Sequence, residues 1–416
     1  MNAWERRLRD LWTILENCHA TYMEPELFRL NTNQFLQTSR TVTFIIQKNK
    51  ESIPNFESWY QTSVLNAWKS DKIMVWAKDS RNLIEKEGDL ELFSKLDLTL
   101  FFSYIIEQDT KIQCGRTELL KSSTKKLLKL AHKNLPPHLI ESSAIKIERY
   151  WVANSLPDWE LLHAMSYIYR NIHQCCHSLA LHLGSRLDST IESPTSLEPQ
   201  REIACQIQYL KLSDLDFHTS HTKRIHLDKT FSPPQNVKNA IQGLRNKMSS
   251  SDTIEKTLDA LTEMAEHTFL HYGNHVPMLF LFNSDWKAID MFSVHFNDRV
   301  EKYIFWRNVA DRIKVSQASG IAWIGESWIR NGAQMRTSSI SELPITGERL
   351  HVSVLGNGGE FIETQWEIIR ASDGSPPGLR KLESTDLFKQ IPYYLAPSLH
   401  VLGIPYPEGF LNSPAV

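Results

Sequence analysis

The spacing of apolar residues changes along this chain, and that change limits its fold more than any other feature. Between residues 161 and 183, apolar side chains recur in alternating steps of three and four, which places them on one face of an α-helix. They are Leu162, Met165, Tyr169, Ile172, Cys176, Leu179 and Leu183. Helical patterns also begin at Trp4 and at segments 31–48, 73–84 and 117–132. An all-helical bundle is therefore predicted for the N-terminal part of the chain.

Beyond residue 250, the pattern favours strands as well as helices. A helix is predicted at 253–270, and Asp298 with Glu301 resembles a capping box that opens another. Short apolar runs predict strands at 278–282, 288–295 and 320–329. Asn357-Gly358, between two more strand-like runs, is the strongest β-hairpin signal. The tail from Pro392 is expected to lie extended on the surface. The predicted fold class is α followed by α+β.

Two polar, proline-containing stretches divide the chain into three predicted parts. Gly184 stops the helical pattern, and the next residues, 189–199, are rich in Ser, Pro, Thr and Glu, as in linkers. Ser232-Pro233-Pro234 marks a second break. The predicted parts are a helical bundle at 1–186, a linker with a β-hairpin at 187–237, and an α+β domain at 238–416.

The composition excludes several classes of protein. The 46 basic and 48 acidic residues give a net charge of -2, so any attraction to nucleic acid or to an anionic membrane must be local. No apolar run is long enough to span a bilayer, and residues 1–10 lack the apolar core of a signal peptide. Five scattered cysteines do not form a disulfide framework. We expect a cytoplasmic protein that does not contact a membrane.

The string Arg81-Asn82-Leu83-Ile84-Glu85-Lys86 resembles a degenerate form of the motif of the HEPN superfamily. These helical bundles often dimerise and often act as metal-independent ribonucleases, and their active motif joins an Arg to a nearby His. Lys86 stands where the His would be. An ammonium group binds phosphate, but with a pKa of about 10.4 it is a poor acid–base catalyst at neutral pH. Arg81 and Glu85 also have the spacing of an ordinary helix ion pair.

A second motif of this type is complete. Arg170 and His177 are separated by six residues and lie about two helical turns apart, with His173 between them on the same face. The HEPN resemblance implies that Arg170 steadies a scissile phosphate and that His177 acts as the acid–base. From the residues alone, a solvated or packed helix face explains the same spacing.

One helix is strongly basic and adds candidates for phosphate binding. Lys121, Lys125 and Lys129 lie on the polar side of the predicted helix at 117–132. Together with Arg81, Asn82 and Lys86, they are predicted to hold an RNA backbone electrostatically. A solvated helix face is the alternative.

Glu326 is a separate candidate, because it interrupts an apolar run at 321–329. A buried carboxylate needs a partner or a raised pKa, and Arg349 is the predicted partner in a structural ion pair. No metal site or cofactor is predicted. His173 and His177 have the spacing of a helical zinc pair but lack the glutamate of HExxH, and His218, His221 and His226 fit an exposed polar loop.

The leading functional interpretation is an RNA-binding or metal-independent RNA-cleaving protein of a bacterial stress or defence type. The alternative is a non-catalytic protein that assembles into oligomers and whose C-terminal half senses a partner. An enzyme built around Glu326 is a third interpretation. A homo-oligomer, specifically a dimer, is expected because Trp59, Trp68 and Trp76 cluster in a domain too small to bury them all.

Overall fold

The computed structural model describes residues 1–112, 121–196, 199–214, 242–243, 246–331, 343–370, 375–383 and 390–412. They form two compact units. The first unit combines Met1–Leu100 with Thr110–Ser220, and the second combines Phe101–Asp109 with His221–Val416. An N-terminal helical region is followed by a strand-rich region, which confirms the predicted order of α followed by α+β.

The first unit contains eight α-helices among the residues described. They are α1 (Ala3–Ala20), α2 (Pro25–Lys48), α3 (Phe56–Tyr60), α4 (Lys72–Lys86), α5 (Thr124–Asn134), α6 (Pro137–Ser142), α7 (Leu161–His182) and α8 (Pro199–Gln206). The alternation of three and four predicted for α7 is confirmed, because Leu162, Met165 and Ile172 lie in the core. Ser123 caps α5, since its Oγ accepts a hydrogen bond from the backbone nitrogen of Lys126. The preceding residues of the predicted basic helix, 117–120, lie outside the described ranges.

The part of this unit that the structure describes also holds a sheet of four strands, in the order β2-β1-β3-β4. The strands are β1 (Leu92–Phe101), β2 (Thr110–Ile112), β3 (Ala144–Ala153) and β4 (Ile207–Lys211). β1 and β3 were not among the predicted elements, although β1 alternates Leu96, Leu98 and Leu100 with polar residues, which is typical of a half-buried strand. β4 lies where a hairpin was predicted, and the hairpin's tip, with His218, His221 and His226, lies outside the described residues.

The tryptophans that motivated the expectation of a dimer are covered within this unit. Trp59 and Trp76 are each 7 % exposed, and Trp68 is half-buried. The indole nitrogen of Trp59 donates to Ser178 Oγ at 3.1 Å, and that of Trp76 donates to Ser155 Oγ at 2.9 Å. Two of the three indoles are therefore buried within the unit and the third is half-buried, and the dimer itself stays a prediction.

Among its described residues, the second unit contains a six-stranded antiparallel sheet with helices on both faces. Its elements are α9 (Ile254–Tyr272), β5 (Met278–Phe282), β6 (Ala288–Ser293), α10 (Arg299–Ser316), β7 (Gly320–Arg330), β8 (Ile345–Gly356), β9 (Phe361–Ile369), β10 (Gly378–Lys381) and α11 (Ala396–Leu402). The strand order is β10-β9-β8-β7-β5-β6. These elements confirm the strands predicted at 278–282, 288–295 and 320–329 and the hairpin at Asn357-Gly358.

Side-chain alternation assigns each face of this sheet to a different layer. Phe280, Ile324 and Val352 point to one face and pack with Leu261 and Phe269 of α9. The opposite face carries Leu279, Ile321 and Leu355, which pack with residues of α10 and α11. Asp298 caps α10, and its carboxylate accepts a hydrogen bond from the Glu301 backbone nitrogen at 2.9 Å.

The C-terminal tail is not extended throughout, so that prediction is wrong for α11. Leu395 and Leu399 are spaced four residues apart, as on one face of a helix, and both are buried against the sheet. Proline stands in the first turn, where its missing N–H costs the helix nothing. Among the described residues, no helix combines the length and the apolar character needed to cross a membrane.

Candidate ligand-binding pocket

Arg170 and His177 lie on α7, as the sequence predicted. Arg170 is half-buried and His177 is exposed. Between them, the ring of His173 lies 6.0 Å from that of Tyr169. Burial lowers the pKa of His173, and the neighbouring His177 lowers it further. The side chains share one side of the helix, and their catalytic role stays a prediction.

The predicted phosphate-binding residues of α4 take part in local contacts. Arg81 Nη2 lies 3.8 Å from Glu85 Oε1, so the ion pair expected from their spacing is present. Arg81 Nη1 donates to Asn82 Oδ1 at 3.3 Å, and its guanidinium lies 5.5 Å from the centre of the Phe44 ring. Lys86, in the last turn, is exposed. Part of the charge on Arg81 is therefore already compensated by a carboxylate.

The three lysines of the basic segment point into solvent. Lys121, which precedes α5, and Lys125 and Lys129 of α5 are all exposed, while Leu127 and Leu128 of α5 are in the core. Such a row can attract a polyanion, and it is also the ordinary polar face of an amphipathic helix. No recorded contact between described side chains joins these lysines to Arg170 or His177.

Glu326 has a different partner from the one predicted. Its Oε2 lies 3.9 Å from Arg370 Nη2, and its Oε1 accepts a hydrogen bond from the backbone nitrogen of His275. The predicted pairing of Glu326 with Arg349 is wrong. Arg349 is opposite Ser327 in the register of β7 and β8, so it points to the other face of the sheet. Burial raises the pKa of Glu326, and the nearby charge of Glu348 raises it further.

A row of polar side chains lies instead on the face of the sheet that carries α10 and α11. Ser353 pairs with Glu363 across β8 and β9, and His351 pairs with Gln365. Arg349 continues this row along β8, two residues further. At the other end of the same face, Leu355 is buried among apolar residues. The polar row therefore begins where the apolar core of this face ends.

Four residues of this row, Arg349, His351, Glu363 and Gln365, form one wall of an open cavity of about 610 Å³. The other wall comes from the chain just before α11 and from the turn near the end of the described chain. The lining residues outside the sheet are Gln390, Ile391, Pro392, Tyr393, Tyr394, Glu408, Gly409 and Phe410. Tyr394 stacks on Trp306 of α10 with ring centres 4.6 Å apart, and the Tyr393 ring lies 5.4 Å from that of Phe410. Packed rings thus hold this wall in place.

Three side chains of the row are linked by hydrogen bonds. Arg349 Nη1 donates to Gln365 Oε1 at 3.0 Å, and Gln365 Nε2 donates to Glu363 Oε2 at 2.7 Å. The chain therefore connects a guanidinium to a carboxyl group through a neutral amide. It fixes the orientation of all three groups towards the cavity that they line.

Burial shifts the pKa values of two groups in this pocket in opposite directions. It raises the pKa of Glu363 to about 7, although the hydrogen bond from Gln365 and the charge of Arg349 both oppose this rise. It lowers the pKa of His351 to about 4. At neutral pH the histidine is therefore neutral, and the Glu363 carboxyl is divided between its protonated and ionised forms. Such a carboxyl can donate or accept a hydrogen bond to suit a ligand.

This site was not predicted, although the sequence carries a signal for it. In β9, Glu363, Gln365 and Glu367 alternate with Ile362, Thr364 and Trp366, so one face of the strand is polar. A polar face within a sheet covered on both sides requires polar partners or a cavity. Among the described residues, no group of three or more His, Cys, Asp or Glu side chains is arranged to hold a metal ion.

Comparison with known proteins corrects the HEPN resemblance. The family model of bacteriophage lambda protein ea47 matches residues 1–412. Protein ea47 of Escherichia phage lambda is 40 % identical over 400 residues, which cover 96 % of this chain and 97 % of that protein. No solved structure matches.

The HEPN prediction is wrong because a single family spans both units, whereas that resemblance rested on short Arg-containing strings in the first 185 or so residues. The ribonuclease and defence roles that were inferred from it lose their support. A match over nearly the full length carries much more information than a two-residue motif. The chain belongs to the bacteriophage lambda ea47 protein family.

Proposed function

We propose that this protein is a sensor without nuclease activity, and that its second unit binds a small organic anion in the pocket lined by Arg349 and Glu363. This develops the alternative interpretation of a partner-sensing protein. The observation that carries the proposal is the hydrogen-bonded chain from Arg349 to Glu363, which ends in a carboxyl whose pKa is about 7. Perturbed titratable groups that converge in a cavity mark a binding or active site.

The charge of the pocket supports an anionic ligand. The guanidinium of Arg349 donates to a neutral amide, and Glu363 is only partly ionised at neutral pH. Glu408 also lines the cavity, but it is exposed, and water therefore screens its charge. A carboxylate or phosphate group can thus bind Arg349, with which it makes strong charge-assisted hydrogen bonds. The rings of Tyr393 and Phe410 offer contact to an aromatic or apolar part of the same ligand.

The proposal implies that binding is coupled to a proton. An anion beside Glu363 further raises the pKa of that carboxyl, because two negative charges repel each other. Binding near neutral pH then takes up a proton, and affinity increases as the pH falls through about 7. A neutral carboxyl can also donate a hydrogen bond to the bound anion.

Calorimetric titration with benzoate and with phenyl phosphate at pH 6 and pH 8 tests the proposal. We expect at least one of these anions to bind, with higher affinity at pH 6 than at pH 8. The binding enthalpy should change with the ionisation enthalpy of the buffer in the direction that indicates net proton uptake. Arg349→Gln should reduce affinity at least tenfold, since a charged hydrogen bond contributes about 1.5–3 kcal/mol. Glu363→Gln should keep binding but lose its dependence on pH.

Arg380→Gln is the matched control, because Arg380 lies on the same sheet but pairs with Glu367 at the edge. Its affinity should equal that of the wild type. Equal affinity in wild type and Arg349→Gln, or no binding of either anion, would overturn the proposal.

RNA binding stays a second prediction, with exposed Lys121, Lys125 and Lys129 as its support and Arg81, Asn82 and Lys86 as further contacts.

A cytoplasmic location also stays a prediction. It agrees with the free thiols of Cys18, Cys175 and Cys176, as expected in a reducing compartment.

A further inference from the structure

The polar row on the wall of the ligand pocket has hydrogen-bonding capacity that the chain itself does not use. Within the part of the chain that the structure describes, no hydrogen-bond partner is recorded for the imidazole of His351 or for Glu363 Oε1, and both residues line the cavity. Glu363 Oε2, by contrast, accepts a hydrogen bond from Gln365, which in turn accepts one from Arg349. The unused polar groups therefore lie on the wall that a bound ligand contacts.

Arg349 and His351 mark two separate points on this wall. They are two residues apart on β8 and point to the same face of the sheet, with their Cα atoms about 6.6–6.8 Å apart along the strand. His351 is directly opposite Gln365, and Glu363 comes two residues before Gln365 on the same face of β9. The second point is therefore formed by His351 and Glu363 together. A ligand that reaches both points needs polar groups at two ends of its frame.

The second point suits a group that can both donate and accept a hydrogen bond. Burial lowers the pKa of His351 to about 4, so its neutral ring carries one donor nitrogen and one acceptor nitrogen. Glu363, whose pKa is raised by burial to about 7, is an acceptor when ionised and also a donor when protonated. A hydroxyl group matches both residues. A second anionic group does not, because it cannot donate and because it would lie beside the Glu363 carboxylate.

We propose that the ligand of this pocket is an aromatic acid that carries a hydroxyl group, with its acid group at Arg349 and its hydroxyl at His351. The rings of Tyr393 and Phe410, which line the same cavity with centres 5.4 Å apart, offer contact to the aromatic ring. The inference rests on the proposed function and narrows its ligand class from small organic anions to hydroxylated aromatic acids. An aromatic acid without the hydroxyl covers His351 and Glu363 and leaves their polar atoms unpaired, which costs affinity.

Calorimetric titration at pH 7 with 3- and 4-hydroxybenzoate, each compared with the methylbenzoate of the same substitution, tests the inference. All four probes carry one negative charge, and a methyl group has nearly the size of a hydroxyl but forms no hydrogen bond. At least one hydroxybenzoate should bind about tenfold more tightly than its methyl analogue. Apolar contact alone would favour the methyl compound instead.

Two variants of His351 test where the hydroxyl binds. His351→Leu removes both ring nitrogens, and it should reduce the preference for the hydroxyl compound to less than about twofold. His351→Gln is the matched control, because its neutral amide keeps a donor and an acceptor, and it should retain most of the preference. A merely structural defect would weaken the hydroxyl and methyl compounds alike and leave the ratio of their affinities unchanged.

The outcomes separate this inference from the proposed function. If the methylbenzoates bind and depend on Arg349, but neither hydroxybenzoate binds more tightly, the inference is overturned and the proposed function stands. Equal hydroxyl preferences in His351→Leu and His351→Gln would overturn the inference as well, because hydrogen bonding at this position would then not decide the preference. No binding by any of the four acids would overturn both.

Discussion

Arg81 and Glu85 form an ion pair on the surface of α4, whereas Arg307 and Asp109 form one inside the second unit. The side chains of the first pair are 27 % and 42 % exposed, and those of the second are 7 % and 11 % exposed. Arg307 also donates to the backbone oxygens of Ser103 and Ile105, at 3.1 Å each. The same chemical groups are therefore solvated by water in one region and by protein in the other.

This difference explains why the pocket, and not the helix surfaces, carries the perturbed chemistry. Water screens the exposed charges on α4 and α5, so the free energy of these groups changes little whether or not an oppositely charged partner is near. Burial removes that screening in the second unit, and it raises the pKa of Glu363 although a guanidinium lies only one amide away. Charge on a surface thus indicates solubility more often than function. Titratable side chains that converge at a partly buried site are a better indication of function.

The largest effect should follow from removing a carboxylate from the buried pair. Asp109→Asn leaves Arg307 charged and without its counter-ion, and breaking such pairs costs about 3–5 kcal/mol. We expect the unfolding transition of the second unit to move to lower temperature in scanning calorimetry. Asp290→Asn, which removes the half-exposed partner of Arg312, should shift it much less. Equal shifts would mean that burial does not separate these pairs.

A smaller effect, which depends on pH, is expected for Glu363→Gln. The folded chain has a pKa of about 7 at Glu363, against an ordinary value of 4.5 for an unperturbed glutamate carboxyl, so it holds a proton between these pH values that the unfolded chain releases. The corresponding stability is fully present below about pH 4.5 and is lost as the pH rises through 7. The glutamine variant stays neutral, and above pH 7 it should therefore be more stable than the wild type, by about 1–3 kcal/mol.

Urea unfolding between pH 5 and pH 8 measures this difference. Glu408→Gln is the control, because Glu408 lines the same cavity but is exposed. A Glu363→Gln difference that stays constant over this range would contradict the raised pKa. His351 contributes the opposite slope, since its pKa is lowered to about 4 and its stability is lost as the pH falls below 6.5.

The smallest effect should come from the surface pair. Glu85→Gln removes the partner of Arg81 but keeps a side chain of similar size, and we expect a change in unfolding free energy of less than about 0.5 kcal/mol. Measurements in low and high salt should differ little from each other. A loss above about 1 kcal/mol would show that this exposed pair resembles the buried one after all.

Much of the fold was predictable, because local spacing controls it. The helix of α7 and strands β5 and β7 follow from periodicity, and Asn357-Gly358 does connect two strands. β1 and β3 were not predicted, although β1 shows the alternation of a strand. The helical patterns on both sides of them favoured an all-helical bundle for the whole region. α11 was missed since a seven-residue helix in a proline-rich tail depends on what it packs against.

The sequence by itself determined the order of α followed by α+β, the position of α7 and of strands β5 and β7, and the polar face of β9. Only the tertiary structure decided which charges meet. Arg349 reaches Gln365 and not Glu326, because strand register places them on opposite faces, and Glu326 is paired by Arg370 from beyond β9. The physical reason is that periodicity depends on neighbours in the chain, whereas burial, register and the resulting pKa values depend on residues far apart in sequence.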